Sequence, residues 1–373
     1  MKLKVIRTEE AFDRIQPQWD ELLAKLDPVP LTLTHAWLRS WLGAFSAGMQ
    51  VEFRCVYQGD ALVGVAPFVK VRERYRGVPV TLLKLAANGH TPYSSIVVDS
   101  SLSAGDQDQA LGILTKIAPD EIGLFFKINQ KSGLRDYLLD RSKIGHGRVG
   151  QKPGLRTPVV DIDRSWDEFY RSRRRSLKKS LNHKLNRFNK SGEFTITEEP
   201  VTRADQPIID ELVTISAKSW KSTIGNDLKS NQRSRQFLLN LAETFGHSGN
   251  LTAWIVRHRD TTPVAFELHL AYDHIAYPIR ADYDEAFNAY SPGSVLEFSA
   301  LRSLFESGAC KQYYTCADDY WYLSKWTEDY EDICSVELFG SSLKLRLLYL
   351  AEYRVIPVIK RFIKKDAKQA KPA

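Results

Sequence analysis

The stretch LTAWIVRHRDTTPVAFELHLAYDHIAYPIRADYDEAFNAYSPGSVLEFSALRSLFESGACKQYYTCA, residues 251–317, decides the fold. Residues 251–284 alternate apolar and polar positions and are broken by short Asp-containing turns, which predicts three antiparallel strands. Residues 291–308 open on Ser-Pro-Gly and close on Gly308, which predicts a helix. Residues 311–317 then read as a further strand.

Two features of this stretch carry chemistry. In VAFELHLAY, Val264, Phe266, Leu268, Leu270 and Tyr272 point to one face of the strand. Glu267 and His269 share the other face with the small Ala265 and Ala271, because side chains two apart on a strand lie on one face. Either group can accept a proton at neutral pH when its surroundings tune it. The alternative reading is a solvent-facing polar strand. The second feature is the helix start at Ser291, Pro292, Gly293 and Ser294. Free backbone N–H groups and the helix dipole bind phosphate oxygens there, and the two serines add hydroxyl donors. A plain helix cap is the competing reading.

Upstream, residues 171–190 hold nine Lys/Arg and no Asp or Glu. Leu177, Leu181, Leu185 and Phe188 form a narrow apolar stripe, which predicts a basic helix docked by that stripe. The net charge of +7 is unevenly spread: residues 171–190 contribute +9, residues 341–373 contribute +7, and the rest sums to −9. Only the two basic segments therefore call for an anionic partner. No DNA-binding motif accompanies them, and DNA is not expected. The tail SLKLRLLYLAEYRVIPVIKRFIKK mixes apolar and basic residues, with a longest apolar run of five residues, Leu347–Ala351. It cannot span a bilayer but can lie in the interface, each cation near anionic headgroups contributing about 1 kcal/mol. Pro357 is expected to divide it.

The rest of the chain supplies a second α/β pattern. FDRIQPQWDELLAKLD predicts one helix, and THAWLRSWLGAF another capped by Thr34. VEFRCVYQGDALVGVAPFVKV reads as two strands about a Gly59-Asp60 turn. SSIVVD predicts a strand, QALGILTKIA a helix, and IGLFFKIN a strand. IGHGRVGQKPGLRTP reads as a linker. The second half adds the strand EFTITEE and the helices IIDELVTISAKSW and RQFLLNLAETFG. The expected division is 1–150, 151–340 and a basic amphipathic tail, 341–373. Four cysteines without paired spacing argue against a metal site or disulfide framework. The start lacks a signal-peptide core. The expected location is a reducing cytoplasm, with peripheral attachment to the inner face of its membrane.

The chain resembles the CelD-like acyltransferases of the GNAT superfamily, bacterial relatives of the Fem peptidyltransferases that include ceramide synthases. The likeness spans most of the chain. Trp19, Trp37 and LVGVAPF (Leu62–Phe68) match the family's opening, and FYRSRRRSLKKSLNHKLNRFNKSGEFTI its basic helix. The most specific match is RADYDEAFNAYSPGSVL. The family's closing Tyr-Lys-x-x-Trp is Tyr322-Leu-Ser-Lys-Trp326 here, with leucine at the lysine position and Lys325 nearby.

The resemblance implies an α/β (α+β) chain of two tandem GNAT-like domains, each a mixed, mostly antiparallel sheet flanked by helices. The second domain alone carries the Ser-Pro-Gly start and is expected to be the active one. The implied reaction is acyl transfer from acyl-CoA, or an acyl carrier protein, to an amine on a lipid, long-chain base or envelope polysaccharide precursor. No permanently bound cofactor or metal is implied. Glu267, His269 and Tyr322 are the catalytic candidates. Ser291, Pro292, Gly293, Ser294, Arg280 and Lys325 are the CoA candidates. Tyr283, Asp284, Tyr290, Trp326, Arg174 and Arg175 are the acceptor candidates. An aminoacyl-tRNA donor, as Fem enzymes use, and a silent scaffold in exopolysaccharide synthesis are the alternatives.

Overall fold

The computed structural model describes residues 1–140, 148–320 and 323–360. Along the chain, β1 (Lys2–Ile6) precedes α1 (Glu9–Arg14), α2 (Gln16–Leu23) and α3 (His35–Phe45). Then come β2 (Gln50–Gln58), β3 (Ala61–Tyr75), β4 (Val78–Leu85), β5 (Val97–Val98), α4 (Ala104–Thr115), β6 (Glu121–Asn129) and α5 (Gly133–Leu139). The middle holds β7 (Arg148–Asp161), α6 (Trp166–Ser172), α7 (Arg175–Ser191), β8 (Phe194–Pro200), α8 (Pro207–Ala217) and α9 (Gln232–Phe245). Finally β9 (Leu251–His258), β10 (Thr262–Tyr272), β11 (Ile275–Tyr283), α10 (Pro292–Ser307), β12 (Gln312–Tyr314), β13 (Tyr330–Phe339) and α11 (Leu343–Leu350) complete the chain.

The chain forms two compact units, each a mostly antiparallel sheet flanked by helices. They interleave in sequence rather than dividing near residues 150 and 340. The first comprises Met1–Leu26, Gly48–Gly154 and Asp332–Ala373; the second comprises Asp27–Ala47 and Leu155–Glu331. Helix α3 therefore belongs with the second unit, where it packs on α9 and Trp37 meets Phe237 edge-on at 5.2 Å.

In the first unit the strand order is β1-β2-β3-β4-β6-β13, with β5 on β3. All its pairings are antiparallel except β4 with β6. Phe68, Leu83, Phe125 and Val336 pack with Leu114 of α4 and Tyr137 of α5. Val80, Ile122 and Phe339 pack with Leu345, Leu348 and Tyr349 of α11.

Three sequence expectations change here. The single helix over residues 12–27 is broken at Ile15, because Pro17 lacks the N–H an unbroken helix needs and instead opens α2. The expected linker over residues 148–158 is strand β7, while residues 144–147 lie outside the described residues. Its glycines mark close approach: a Cβ on Gly150 would sit 1.9 Å from the Tyr353 ring, and one on Gly154 would sit 2.7 Å from the Ile333 carbonyl. Pro357 does not divide the terminal segment. A π-helical turn over Ala351–Val355 precedes it, and helix continues through Lys360.

In the second unit the order is β7-β12-β11-β10-β9-β8. Strands β8 to β11 are antiparallel neighbours. β11 and β12 are parallel and paired only at Ile275↔Gln312 and Ala276↔Tyr313. β12 ends at Tyr314, while β11 runs on to Tyr283 before α10. Helix α7 forms as expected: Leu177, Leu181 and Phe188 are buried, Leu185 is partly buried, and Gly192 ends it at φ +64°. Its stripe packs with α10 against one face of the sheet.

Candidate active site

The site is built on the face of β10 that carries Ala265, Glu267, His269 and Ala271. Both ionisable groups are buried, at 7% and 4% exposure, so the solvent-facing reading of this face does not hold. Glu267 Oε2 lies 3.5 Å from His269 Nε2. Tyr313 of β12 donates its hydroxyl to Glu267 Oε1 at 3.3 Å, and its ring lies 5.8 Å from the His269 imidazole. Glu267 Oε2 and both His269 ring nitrogens have no hydrogen-bond partner. Unpartnered buried polar atoms cost about 1–3 kcal/mol each, so they persist where something other than stability selects them.

A second carboxylate faces this one. Glu297 lies one turn into α10 beyond Ser294. Burial, and next the Glu267 charge, push its carboxyl up to about 8, against the opposing effects of the Trp326 indole N–H bonded to it and of the Lys184 charge. The residue keeps part of its surface accessible. A like charge this close disfavours the ionised form of Glu297. Burial, followed by Glu267 and Glu297, raises the Tyr313 phenol well above its usual range, so it stays protonated.

Next to the carboxylates is a cationic helix start. Ser291, the N-cap of α10, has left-handed backbone at φ +54°, which costs a non-glycine residue roughly 1 kcal/mol. Lys184 Nζ of α7 lies 2.8 Å from Ser294 Oγ, and Arg187 Nη2 lies 3.3 Å from Ser291 Oγ. Burial, followed by the charge of Lys325, lowers the Lys184 ammonium below its usual value. Dipole, N–H groups, hydroxyls and cations thus converge where the sequence pointed to phosphate. The basic helix is docked by its apolar stripe and turns Lys184 and Arg187 toward Ser294 and Ser291.

The remaining sequence candidates divide. Trp326 is buried against Phe169 and bonded to Glu297, so it helps build the site. The Tyr283 ring flanks Gly293, with Cδ1 3.6 Å from the position of a Cβ there, and Tyr290 packs on Phe194 at 4.9 Å. Arg280 sits apart. It pairs across from Leu268, so it projects from the other face of the sheet, bound to Asp282 at 2.8 Å, Ser216 Oγ at 3.0 Å and the Asn226 carbonyl at 2.8 Å. Asp284 caps the turn after β11 through Ala286 N–H and pairs with Lys218 at 3.2 Å. Arg174 is exposed and paired with Glu328, and Arg175 is exposed at the first residue of α7. Tyr322 lies outside the described residues.

Glu297, Tyr313, Lys184 and Arg187 were not singled out from sequence. A signal existed for Glu297: Ser291, Ser294 and Glu297 recur at three-residue intervals along one face of the predicted helix. Among the described residues no group of His, Cys, Asp and Glu is arranged to hold a metal ion. The described cysteines are free, with Cys55, Cys310 and Cys334 buried.

Residues 172–323 match the family model described as Acetyltransferase (GNAT) domain. Solved structures share the fold over most of the chain. FemX is 12% identical, with a TM-score of 0.54 over 94% of this chain and 100% of that one. A C-terminal domain assigned to a lysylphosphatidylglycerol synthetase of Agrobacterium fabrum is 11% identical, with a TM-score of 0.53 over 92% and 97%. A tandem GNAT protein from the clavulanic acid biosynthesis pathway is 10% identical, with a TM-score of 0.52 over 91% and 100%. At these identities the likeness is one of fold. No curated protein matches the chain. The matched segment, less than half of the chain, carries a GNAT acetyltransferase domain, which supports N-acyl transfer.

Proposed function

We propose that this enzyme moves an acyl group from acyl-CoA to an amine carried by a lipid, long-chain base or envelope precursor, as the CelD-like resemblance suggests. The observation that carries the reading is the buried Glu267, with an unpartnered oxygen, set beside Glu297 and next to the cationic start of α10. The CoA pyrophosphate lies on the Gly293 N–H and the Ser291 and Ser294 hydroxyls, with Lys184 and Arg187 neutralising it. The carboxylate pair takes the proton of the amine. The amine nitrogen then bonds to the thioester carbonyl carbon, the C–S bond breaks, and the sulfur leaves as thiol once it gains the proton. Buried Tyr313, bonded to Glu267, is suited to relay that proton.

The test is consumption of acyl-CoA with a panel of amines. Glu267→Gln is expected to lower turnover by about 10²–10⁴, the usual contribution of a general base, with little change in CoA affinity. Wild-type turnover in the folded variant would remove Glu267 from the reaction. Failure of the wild type with every amine would favour a scaffold role.

An aminoacyl-tRNA donor is the rival reading, and it makes a different prediction. tRNA binding would fall steeply with salt, because each phosphate contact releases counterions. Filter binding at low and moderate salt is expected to show weak tRNA binding. Tight binding that disappears when Arg173, Arg174 and Arg175 become alanine would reverse the assignment of the donor.

A further inference from the structure

We propose that the outer face of the C-terminal helical segment is a docking surface for an anionic lipid bilayer. The segment belongs to the first unit and needs nothing from the acyl-transfer reading. Its inner face is accounted for: Leu345, Leu348 and Tyr349 pack under the sheet. Glu352 is held inside by Arg76 at 2.5 and 2.8 Å and by Lys152 at 3.2 Å. These anchors fix which side of the helix faces outward.

That outward side is apolar. Leu343 is 72% exposed, Leu347 58% and Leu350 44%, and further along Val358 is 49% exposed beside Val355 and Ile359. Residues 343, 347 and 350 fall on one face at helical spacing, opposite the buried face. A soluble protein rarely leaves a row of this kind uncovered. Its flanks identify what covers it. At about 100° per residue, Lys344 and Arg346 lie on either edge of the row, and Arg354 further along is exposed. Among the described residues Lys344 bonds to the Pro79 carbonyl and Arg346 to the Ser341 carbonyl. No acidic side chain of this segment shares the outward face, since Glu352 is turned inward. An apolar stripe bordered by cations on long stems suits the boundary between acyl chains and anionic headgroups. Among the described residues no helix is long and apolar enough to cross a membrane, so this surface lies on the bilayer rather than through it.

The experiment is co-sedimentation of the full chain with phosphatidylcholine vesicles, with and without one third phosphatidylglycerol. The wild type is expected to bind the anionic vesicles and to come off in 1 M salt, where the Debye length is about 3 Å. Changing Leu343, Leu347 and Leu350 together to Glu should lower the bound fraction at least tenfold. All three side chains are exposed, so the fold should survive, as circular dichroism would verify. Lys344→Glu with Arg346→Glu should weaken binding to anionic vesicles. A wild type that ignores anionic vesicles would overturn the proposal. So would a triple variant that binds like wild type, because the basic residues beyond 360 would then suffice. A wild-type dimer that the triple variant dissolves, without vesicle binding, would assign the face to a second copy. Vesicle binding is read without substrate, so its outcome and that of the acyl-transfer assay fail separately.

Discussion

Glu297→Gln is expected to leave the protein more stable and nearly inactive. The carboxyl of Glu297 titrates at about 8 in the folded chain, against 4.5 for the unperturbed group. Below pH 4.5 it is protonated in both states and costs nothing. Between 4.5 and 8 the folded chain keeps a proton that the unfolded chain releases, so stability falls as pH rises through this window. Above 8 the loss is complete. One pKa unit corresponds to about 1.4 kcal/mol, so even with generous discount for partial accessibility the gain in the Gln variant at pH 8 is about 2 kcal/mol. The gain should shrink toward zero as pH drops to 4.5. Thermal melts of both proteins between pH 5 and 9 would measure it. A stability difference that does not depend on pH would mean that Glu297 does not titrate in this range.

The same group shapes the rate. If the carboxylate pair accepts the amine proton, turnover of wild type should rise with pH along a limb near 8, as Glu297 loses its own proton. The Gln variant should lose that limb together with about 10²–10⁴ in rate. Stability gained where activity is lost separates a group kept for chemistry from one kept for packing. A buried ion pair kept for structure would behave oppositely, because removing one partner leaves the other uncompensated.

The sequence made some of this legible and hid the rest for physical reasons. Alternation along β10 put Glu267 and His269 on one face, and the structure brings them within 3.5 Å. The stripe Leu177, Leu181, Leu185 and Phe188 gave the docking side of α7, because a helix face is a local property. What that side docks against is not local. Lys184 and Arg187 look like other cations of the run until α7 lies over α10. Arg280 shows a different limit. Whether it shares the face of Glu267 depends on the register of β11 against β10, and the register shifts between Leu268 and His269. A one-residue shift reverses which face a side chain takes. Gly150 and Gly154 look like breakers locally, yet they lie in a strand where tertiary neighbours occupy the space their side chains would need. Glu297 falls inside the predicted helix 291–308 as one more polar position, and only the approach of Glu267 and Trp326 from other elements marks it.

Gly293→Glu is expected to abolish CoA binding without disturbing the fold. A Cβ at Gly293 meets only Tyr283 Cδ1, at 3.6 Å, an ordinary contact, and the residue sits in helical backbone. Gly293→Ala should therefore fold and bind CoA nearly as wild type. Any loss in the Glu variant then comes from the longer side chain and its charge, set against the pyrophosphate at a helix start that otherwise favours anions. Losing one charge-assisted contact costs about 1.5–3 kcal/mol, roughly a 10- to 150-fold drop in affinity, and a repelling charge adds to that. Lys184→Ala should show the first part alone, since it removes the cation 2.8 Å from Ser294 Oγ and adds no negative charge. The ordering expected from calorimetry is wild type, then Gly293→Ala, then Lys184→Ala, with no measurable heat for Gly293→Glu. Wild-type CoA affinity in a folded Gly293→Glu protein would move the phosphates away from α10. With the donor gone from that position, the cations of α7 would need another anion, and the salt-dependent tRNA measurement would become the deciding one.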